Sequence, residues 1–331
     1  MKKTQWLFKL ILIISVIITL SANNWISMWM GLELNMMAFI PMILNDKNKL
    51  SSEAAMIYFF VQSFSSLMLM MMLISYMCKY LIYGVINYYI LVISILIKLG
   101  AAPFHSWFPK IASMMNWSKN FILMTWQKIA PLMMISNLNY NSMMIINMAT
   151  IMCIIIGSIG GMNQMSLRKL MSYSSINHLG WMLSINKSMN LWMLYLMIYS
   201  FMALMICYLF NKYKIYFLNQ LNSLNMNSSE KINMLIMMMS MGGLPPFIGF
   251  LPKWITIQSL FGTKDVIMIF IMIMFSLITL MYYLRTMTNM FLMSSMTIKW
   301  AVTNYNIYIM SIMMFCNLSL PMFLILDLFN F

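Results

Sequence analysis

Four ionisable residues lie inside long apolar runs, where a bilayer would tolerate them poorly: Glu33, Lys98, Lys128 and Lys253. A charged side chain at mid-bilayer costs roughly 2.5–3.5 kcal/mol on insertion scales, so each needs a partner, a water-filled cavity or a chemical task. One acid and three bases on four separate runs are the ingredients of a proton relay in the plane of a membrane. Lysine suits that work because taking an ammonium out of water favours its neutral form, while a nearby carboxylate favours the charged one. Glu33 is the natural modulator: approach to Lys98 holds a proton there, and withdrawal releases it. The plainer reading is that each lysine snorkels to an interface or makes a static interhelical pair.

The backbone beside the three lysines is interrupted as well. Lys98 is followed by Gly100 and Pro103, and a proline there deprives the Leu99 carbonyl of its helical donor. Pro131 does the same to the Gln127 carbonyl beside Lys128. Around Lys253 stand Gly242, Gly243, Pro245, Pro246, Gly249 and Pro252, which predict a pair of half-helices. Broken backbone survives in a membrane only where protein or water surrounds it, and half-helix ends beside ionisable groups are how transporters build ion sites near the midplane. His105, seven residues beyond Lys98, stands two turns further on if the helix continues; it is either an onward relay or a hydrogen-bonded structural histidine. His178, after Ser174 and Ser175, is either a secondary relay position or a structural histidine satisfied by serine and water. Lys110, Arg285 and Glu53 fall toward span ends, within reach of headgroups or loop partners. Asp46, Glu230, Asp265 and Asp327 fall in loops or near a terminus, where solvation is expected.

These residues must be held by membrane-spanning helices. The chain is 63% apolar and 8% charged, against about 45–50% and about 25% for soluble domains, which excludes a water-soluble fold. At about 20 residues per crossing, spans are expected at 5–21, 25–44, 52–75, 83–115, 118–138, 142–162, 167–186, 189–211, 231–262, 265–293 and 305–326. The expectation is an all-α polytopic membrane protein with about eleven transmembrane helices in one domain, 1–331. The stretches 83–115 and 231–262 are too long for one straight helix and contain internal Gly and Pro.

Basic residues between the spans divide unevenly. Lys2, Lys3, Lys47, Lys49, Lys119, Arg168, Lys169, Lys212, Lys214, Lys231 and Lys299 fall on one side, and Lys79, Lys187 and Lys264 on the other. The positive-inside rule then predicts an amino terminus on the inner, matrix-type side. The net charge of +14 would suggest nucleic acid in a soluble protein; scattered over short loops it reads as an orientation signal with anionic-lipid contact, cardiolipin included. The stretch from Asn211 to Asn233 is expected to be a loop without a site. The 48 Met residues against 21 Phe replace the usual branched aliphatics, as a code that reads one Ile codon as Met would produce, and suggest organellar encoding. Cys78, Cys153, Cys207 and Cys316 are far apart with only two His in the chain, so neither a zinc nor an iron–sulfur site is expected. The first twenty residues resemble a signal peptide, yet more spans follow at once, and a retained first helix is the better reading.

Segments WMGLELNMMAFIP (29–41), LIKLGAAPFHSWFPK (ending at Lys110), TWQKIAP (125–131), GSIGGMNQMSLRKLMSYSSINHLGWM (157–182) and GGLPPFIGFLPKW (242–254) follow in an order and spacing that resemble the subunit 2 family of respiratory complex I. The resemblance implies an antiporter-like fold, with two inverted repeats of five helices and broken helices at the centre of each; animal members lack the first three helices. It implies that Glu33 is the modulating glutamate, Lys98 the central lysine of the first half-channel and Lys128 the connecting lysine. Lys253 would be the lysine of the second half-channel and His105 the central-axis histidine. It further implies a proton-translocating subunit of the mitochondrial inner membrane, with no cofactor of its own. NADH, FMN, iron–sulfur clusters and ubiquinone would belong to other subunits, and the partners would be other membrane-arm subunits, including neighbouring antiporter-like ones. No nucleic acid is expected. A free-standing cation/proton exchanger and a scaffold subunit with a vestigial channel are the rival readings.

Overall fold

The computed structural model describes residues 2–45, 48–77, 84–138, 143–222, 228–263, 265–292 and 307–319. Asp46, Lys47, Cys78, Lys79, Lys264, Lys299, Asp327 and the end of the expected span 305–326 lie outside the described residues.

Among the described residues the protein is helical, with one isolated bridge between Ser166 and Phe217. The helices are α1 (Lys2–Ser21), α2 (Trp25–Leu44), α3 (Lys49–Met77), α4 (Gly84–Leu99), α5 (Trp107–Met114), α6 (Trp117–Met124), α7 (Trp126–Ser136), α8 (Met143–Met162), α9 (Leu167–Ser184), α10 (Met189–Lys212), α11 (Leu218–Asn222), α12 (Ser228–Gly242), α13 (Phe250–Thr263), α14 (Val266–Leu292) and α15 (Ile307–Asn317). Trp25–Leu44, Lys49–Ser75, Met144–Met162, Met189–Lys212 and Val266–Thr288 are long and apolar enough to cross a membrane, while Gln5–Ser21 and Asn87–Leu99 are apolar but shorter. Among the described residues, length and composition thus mark five crossings. Of the other expected spans, 83–115, 118–138 and 231–262 are split, 167–186 is polar, 5–21 is apolar but short, and 305–326 is described only over 307–319.

The reasons are local. In α2 the buried residues Met28, Leu32, Asn35, Phe39 and Met42 recur at helical spacing, while Met30, Leu34 and Met37 between them are exposed. An apolar face outside as well as inside is what a helix between a protein core and lipid requires. By contrast α9 carries Ser172, Ser174, Ser175, Asn177 and His178, all buried. It lies inside the bundle, so lipid never meets its polar groups. Gly157 of α8 lets the two backbones close: a Cβ there would stand 2.7 Å from the amide nitrogen of Asn177, the small-residue contact typical of packed membrane helices.

The expected 83–115, 118–138 and 231–262 stretches each form two helices. The first and third break in the same way. Helix α4 ends with Gly100 at φ 66°, its N–H donating to Ile97 O at 3.1 Å and the Ala101 N–H to Leu96 O at 3.0 Å. Helix α12 ends with Gly243 at φ 76°, with Gly243 N–H to Ser240 O at 3.0 Å and Leu244 N–H to Met239 O at 3.3 Å. Both are Schellman caps, which need a left-handed residue that glycine adopts without a Cβ clash, and both are followed by proline, which prevents the helix from resuming. The α6–α7 break falls at Thr125 (φ −117°, ψ −70°), and α7 then runs through Pro131.

Candidate functional site

Lys98 is the penultimate residue of α4 and is 7% exposed. Ending the helix frees its carbonyl, which accepts a hydrogen bond from Gln62 Nε2 of α3 at 3.2 Å. The cap also changes the setting of His105. Helix α4 does not continue, so His105 is not two turns along from Lys98 but in the connection to α5, half-buried, with Nδ1 3.2 Å from Pro103 O and its ring 6.4 Å from that of Tyr173.

Beside Lys98 lies a cavity of about 20 Å³ bounded by Asn35, Tyr58, Gln62, Gln127 and Lys128 among others. That is room for about one water molecule. Its wall is a hydrogen-bonded row: Tyr58 Oη donates to Gln127 Oε1 at 3.1 Å, and Gln127 Nε2 donates to Asn35 Oδ1 at 3.0 Å. Glu33, half-buried two residues before Asn35 on α2, acts electrostatically on both the Lys98 ammonium and the Tyr58 hydroxyl. Among the described residues no direct ion pair joins Glu33 to a lysine.

Lys128 borders the same cavity and is 2% exposed. Its Nζ donates to Ser175 O of α9 at 2.8 Å and stands over the rings of Phe108 and Tyr199 at 5.5 and 5.6 Å. Lys128 therefore links the Lys98 cavity to the central helix.

One turn along α9 from Ser175, His178 feels the charge of both Lys128 and Lys253. Its Nδ1 is 2.8 Å from Tyr195 Oη of α10, and its ring lies 4.9 Å from that of Tyr199. Ser174 and Ser175 do not serve it: their hydroxyls donate to Met171 O and Ser172 O in their own helix. Beyond it, Lys253 at the start of α13 donates from Nζ to Gly242 O at 2.7 Å and stands over the Trp181 ring at 5.8 Å. The ammonium thus caps the freed end of α12, the favourable end of a helix dipole for a cation. The Trp181 indole N–H is buried here without a protein hydrogen-bond partner, and the hydroxyls of Tyr199, Tyr282 and Tyr283 are buried around it. Leaving such an N–H unsatisfied costs about 1–3 kcal/mol, which makes water its natural partner.

A larger cavity of about 230 Å³ lies further along the same helices, reached by Ser136 of α7, Ser184 and Asn186 at the end of α9, Ser259 of α13 and Asp265. At about 1.5 Å per residue, Ser136, Ser184 and Ser259 lie about 9–12 Å beyond Lys128, His178 and Lys253 on their own helices. Both side-chain amide atoms of Asn186 are buried there without a protein partner.

Sequence reasoning singled out the charges and missed the neutral groups that join them: Asn35, Tyr58, Gln62, Gln127, Tyr195, Tyr199, Trp181, Tyr282 and Tyr283. Only Asn35, Gln62 and Gln127, amides inside apolar runs, carried a readable signal. Tyrosine and tryptophan in such runs pass as ordinary membrane residues.

Three expectations for the loop side change. Glu230 is not solvated; it is 2% exposed and pairs with Lys212 at 3.0 Å, because the first turn of α12 folds under the end of α10. Lys119 is buried, not a free loop cation, and donates to Ile43 O of α2 at 3.3 Å. The 211–233 stretch is partly structured: Trp117 Nε1 donates to Ile215 O at 2.8 Å, Leu218 N–H to Met165 O at 3.0 Å, and Arg168 stacks on Tyr216 at 4.5 Å. Arg285 does reach a loop partner, donating to Gln164 O at 3.0 Å.

Buried lysines at capped, broken helices in an apolar bundle are the construction of an ion-transporting membrane protein. Comparison with known proteins agrees. Residues 22–279 match the family described as NADH:quinone oxidoreductase/Mrp antiporter, transmembrane. The chain is 43% identical to NADH-ubiquinone oxidoreductase chain 2 of Anopheles gambiae over 90% of its own length and 89% of that protein's, and 41% identical to the same chain of Aedes aegypti with the same coverage. Its fold superposes on a chain of respiratory complex I from Thermus thermophilus with a TM-score of 0.79 and 17% identity, covering 93% of this chain and 75% of that one. The chain therefore belongs to the NADH:quinone oxidoreductase/Mrp antiporter transmembrane family, in the branch of its NADH-ubiquinone oxidoreductase chain 2 relatives.

Proposed function

We propose that this chain is a membrane-arm subunit of a respiratory NADH:ubiquinone oxidoreductase and moves protons through the row Glu33, Lys98, Lys128, His178 and Lys253, with His105 on a branch from Lys98. The single observation that carries this reading is the continuity of the row. Lys98 and Lys128 share one small cavity, Lys128 donates to Ser175 O of α9, His178 stands one turn further along α9 against Tyr195 and Tyr199, and Lys253 stands over Trp181 of the same helix. A static ion pair does not explain Lys128 or Lys253, since each is held by a neutral carbonyl. Such a site can switch: the ammonium keeps its proton while docked on a carbonyl and yields it when hydration or a neighbouring charge changes.

On this reading residues 1–331 form one antiporter-like domain in the mitochondrial inner membrane, amino terminus in the matrix. NADH, FMN, iron–sulfur clusters and ubiquinone are held by other subunits, and membrane-arm neighbours and anionic lipids such as cardiolipin are the partners. The serine- and asparagine-lined cavity beyond His178 is the outlet to the far side. Each charge moved against 100 mV costs about 2.3 kcal/mol, so quinone reduction elsewhere must drive the row.

Lys98→Met, made in the assembled complex, tests the assignment. Protons pumped per NADH oxidised, or coupled turnover as a whole, should fall, while Lys49→Met, at an exposed helix start, should leave both unchanged. Unchanged pumping and rate in assembled Lys98→Met would favour a scaffold, and migration apart from a large complex in native electrophoresis would favour a free-standing exchanger.

A further inference from the structure

The outer surface carries a groove on the opposite side of α7 from the Lys128 contact with α9. It has a volume of about 370 Å³, walled by α1 (Leu12, Ile13) and α10 (Leu196, Met197) and floored by the α6–α7 break at Thr125 and Ile129. Its lining is almost wholly apolar. Thr125 and Ser200 are its only hydroxyls, and both are spent on their own helices, on Phe121 O and Met197 O. The one charge is Lys9, exposed one turn before Ile13, with no ion-pair partner among the described residues. Lys9 in the first half of α1, Met42 near the end of α2 and Phe121 in α6, which opens the α6–α7 pair, mark the same half of the molecule, so the charge is on the headgroup side and the apolar floor runs toward the midplane.

The geometry points to a binding site for one acyl chain of an anionic phospholipid, with Lys9 on its phosphate. A helix is about 10–12 Å across with its side chains, too thick for a groove of this volume, whereas a single hydrocarbon chain is not. A polar small molecule would find no free donor besides Lys9. A lysine stem along apolar surface with its ammonium at the headgroups is ordinary snorkelling, and one such charge favours anionic over zwitterionic lipid about fivefold. The floor matters for function, since Thr125 and Ile129 line the groove on the helix whose Lys128 reaches the other way, to Ser175 O. An occupied groove braces the break that positions Lys128, and Trp126 already ties it to α1 by donating to Leu12 O at 3.2 Å.

The test uses the intact complex in phosphatidylcholine nanodiscs doped with a diazirine-acyl phosphatidylglycerol or with the phosphatidylcholine of the same acyl chain. Photolabel should fall on the peptides bearing Ile13 and Met197, about fivefold more from phosphatidylglycerol; Lys9→Gln should bring the two lipids level and Ile13→Trp, which fills the groove, should remove the label. No label in the groove, equal labelling of the unaltered protein by both lipids, or cross-linking of these residues to another protein chain would overturn the inference. The comparison of lipids on the unaltered protein stands whether or not the variants assemble, and it does not depend on the relay reading.

Discussion

Replacing Gly243 by alanine should disable Lys253 without touching it. Gly243 sits at φ 76°, where a residue with a Cβ is strained by about 1–2 kcal/mol. Its added Cβ would also stand 2.8 Å from both Cδ and Nζ of Lys253, closer than real contacts allow, so the lysine must leave the Gly242 carbonyl it now meets at 2.7 Å. A hydrogen bond from a charged donor contributes about 1.5–3 kcal/mol, and every 1.4 kcal/mol is about tenfold in a population. The docked lysine should thus be depleted by about tenfold to a hundredfold. Gly242→Ala is the matched control. Its Cβ would make only ordinary contacts, the nearest at 3.7 Å to Tyr283, and alanine favours the helix it ends. The assay is proton uptake per NADH oxidised by the purified complex in proteoliposomes, after native electrophoresis shows assembly. Gly243→Ala should lower the ratio or the coupled rate and Gly242→Ala should not. Equal pumping by the two assembled variants would refute the idea that docking on the end of α12 controls this station.

Gln62→Leu should strand the Lys98 carbonyl beside the small cavity and destabilise the fold by about 1–3 kcal/mol; a lower midpoint in thermal unfolding of the isolated complex, together with slower coupled turnover, is the expected result, and an unchanged midpoint counts against the bond. Tyr195→Phe keeps the ring but removes the hydroxyl 2.8 Å from His178 Nδ1. A loss of about 1.4 kcal/mol would slow a step about tenfold, so proton pumping should drop toward that extent while the complex assembles normally. Wild-type pumping by Tyr195→Phe would return His178 to a purely structural role.

Much of the plan was legible in the chain itself because a membrane imposes simple rules. Apolar length alone marks Trp25–Leu44 at the expected 25–44, and the Gly and Pro beside Lys98 and Lys253 mark helices that must break. What the pattern could not show was how they break: whether residues 83–115 bend or stop depends on Gly100 taking a left-handed cap. The stop removes His105 from the helical line of Lys98. Glu230 was misjudged for a related reason, since a charge in a polar stretch looks solvated until a neighbouring helix folds over it.

Which charges matter was therefore a property of the sequence, because an ionisable side chain in an apolar run is costly wherever the fold places it. How they connect belonged to the tertiary structure. His178 and Lys253 are 75 residues apart in the chain, and only the packing of α9 against α10 and α13 brings that histidine to Tyr195 and under the charge of Lys128 and Lys253. A proton moves through hydrogen-bond contacts, and contacts between helices distant in sequence leave no periodicity to read.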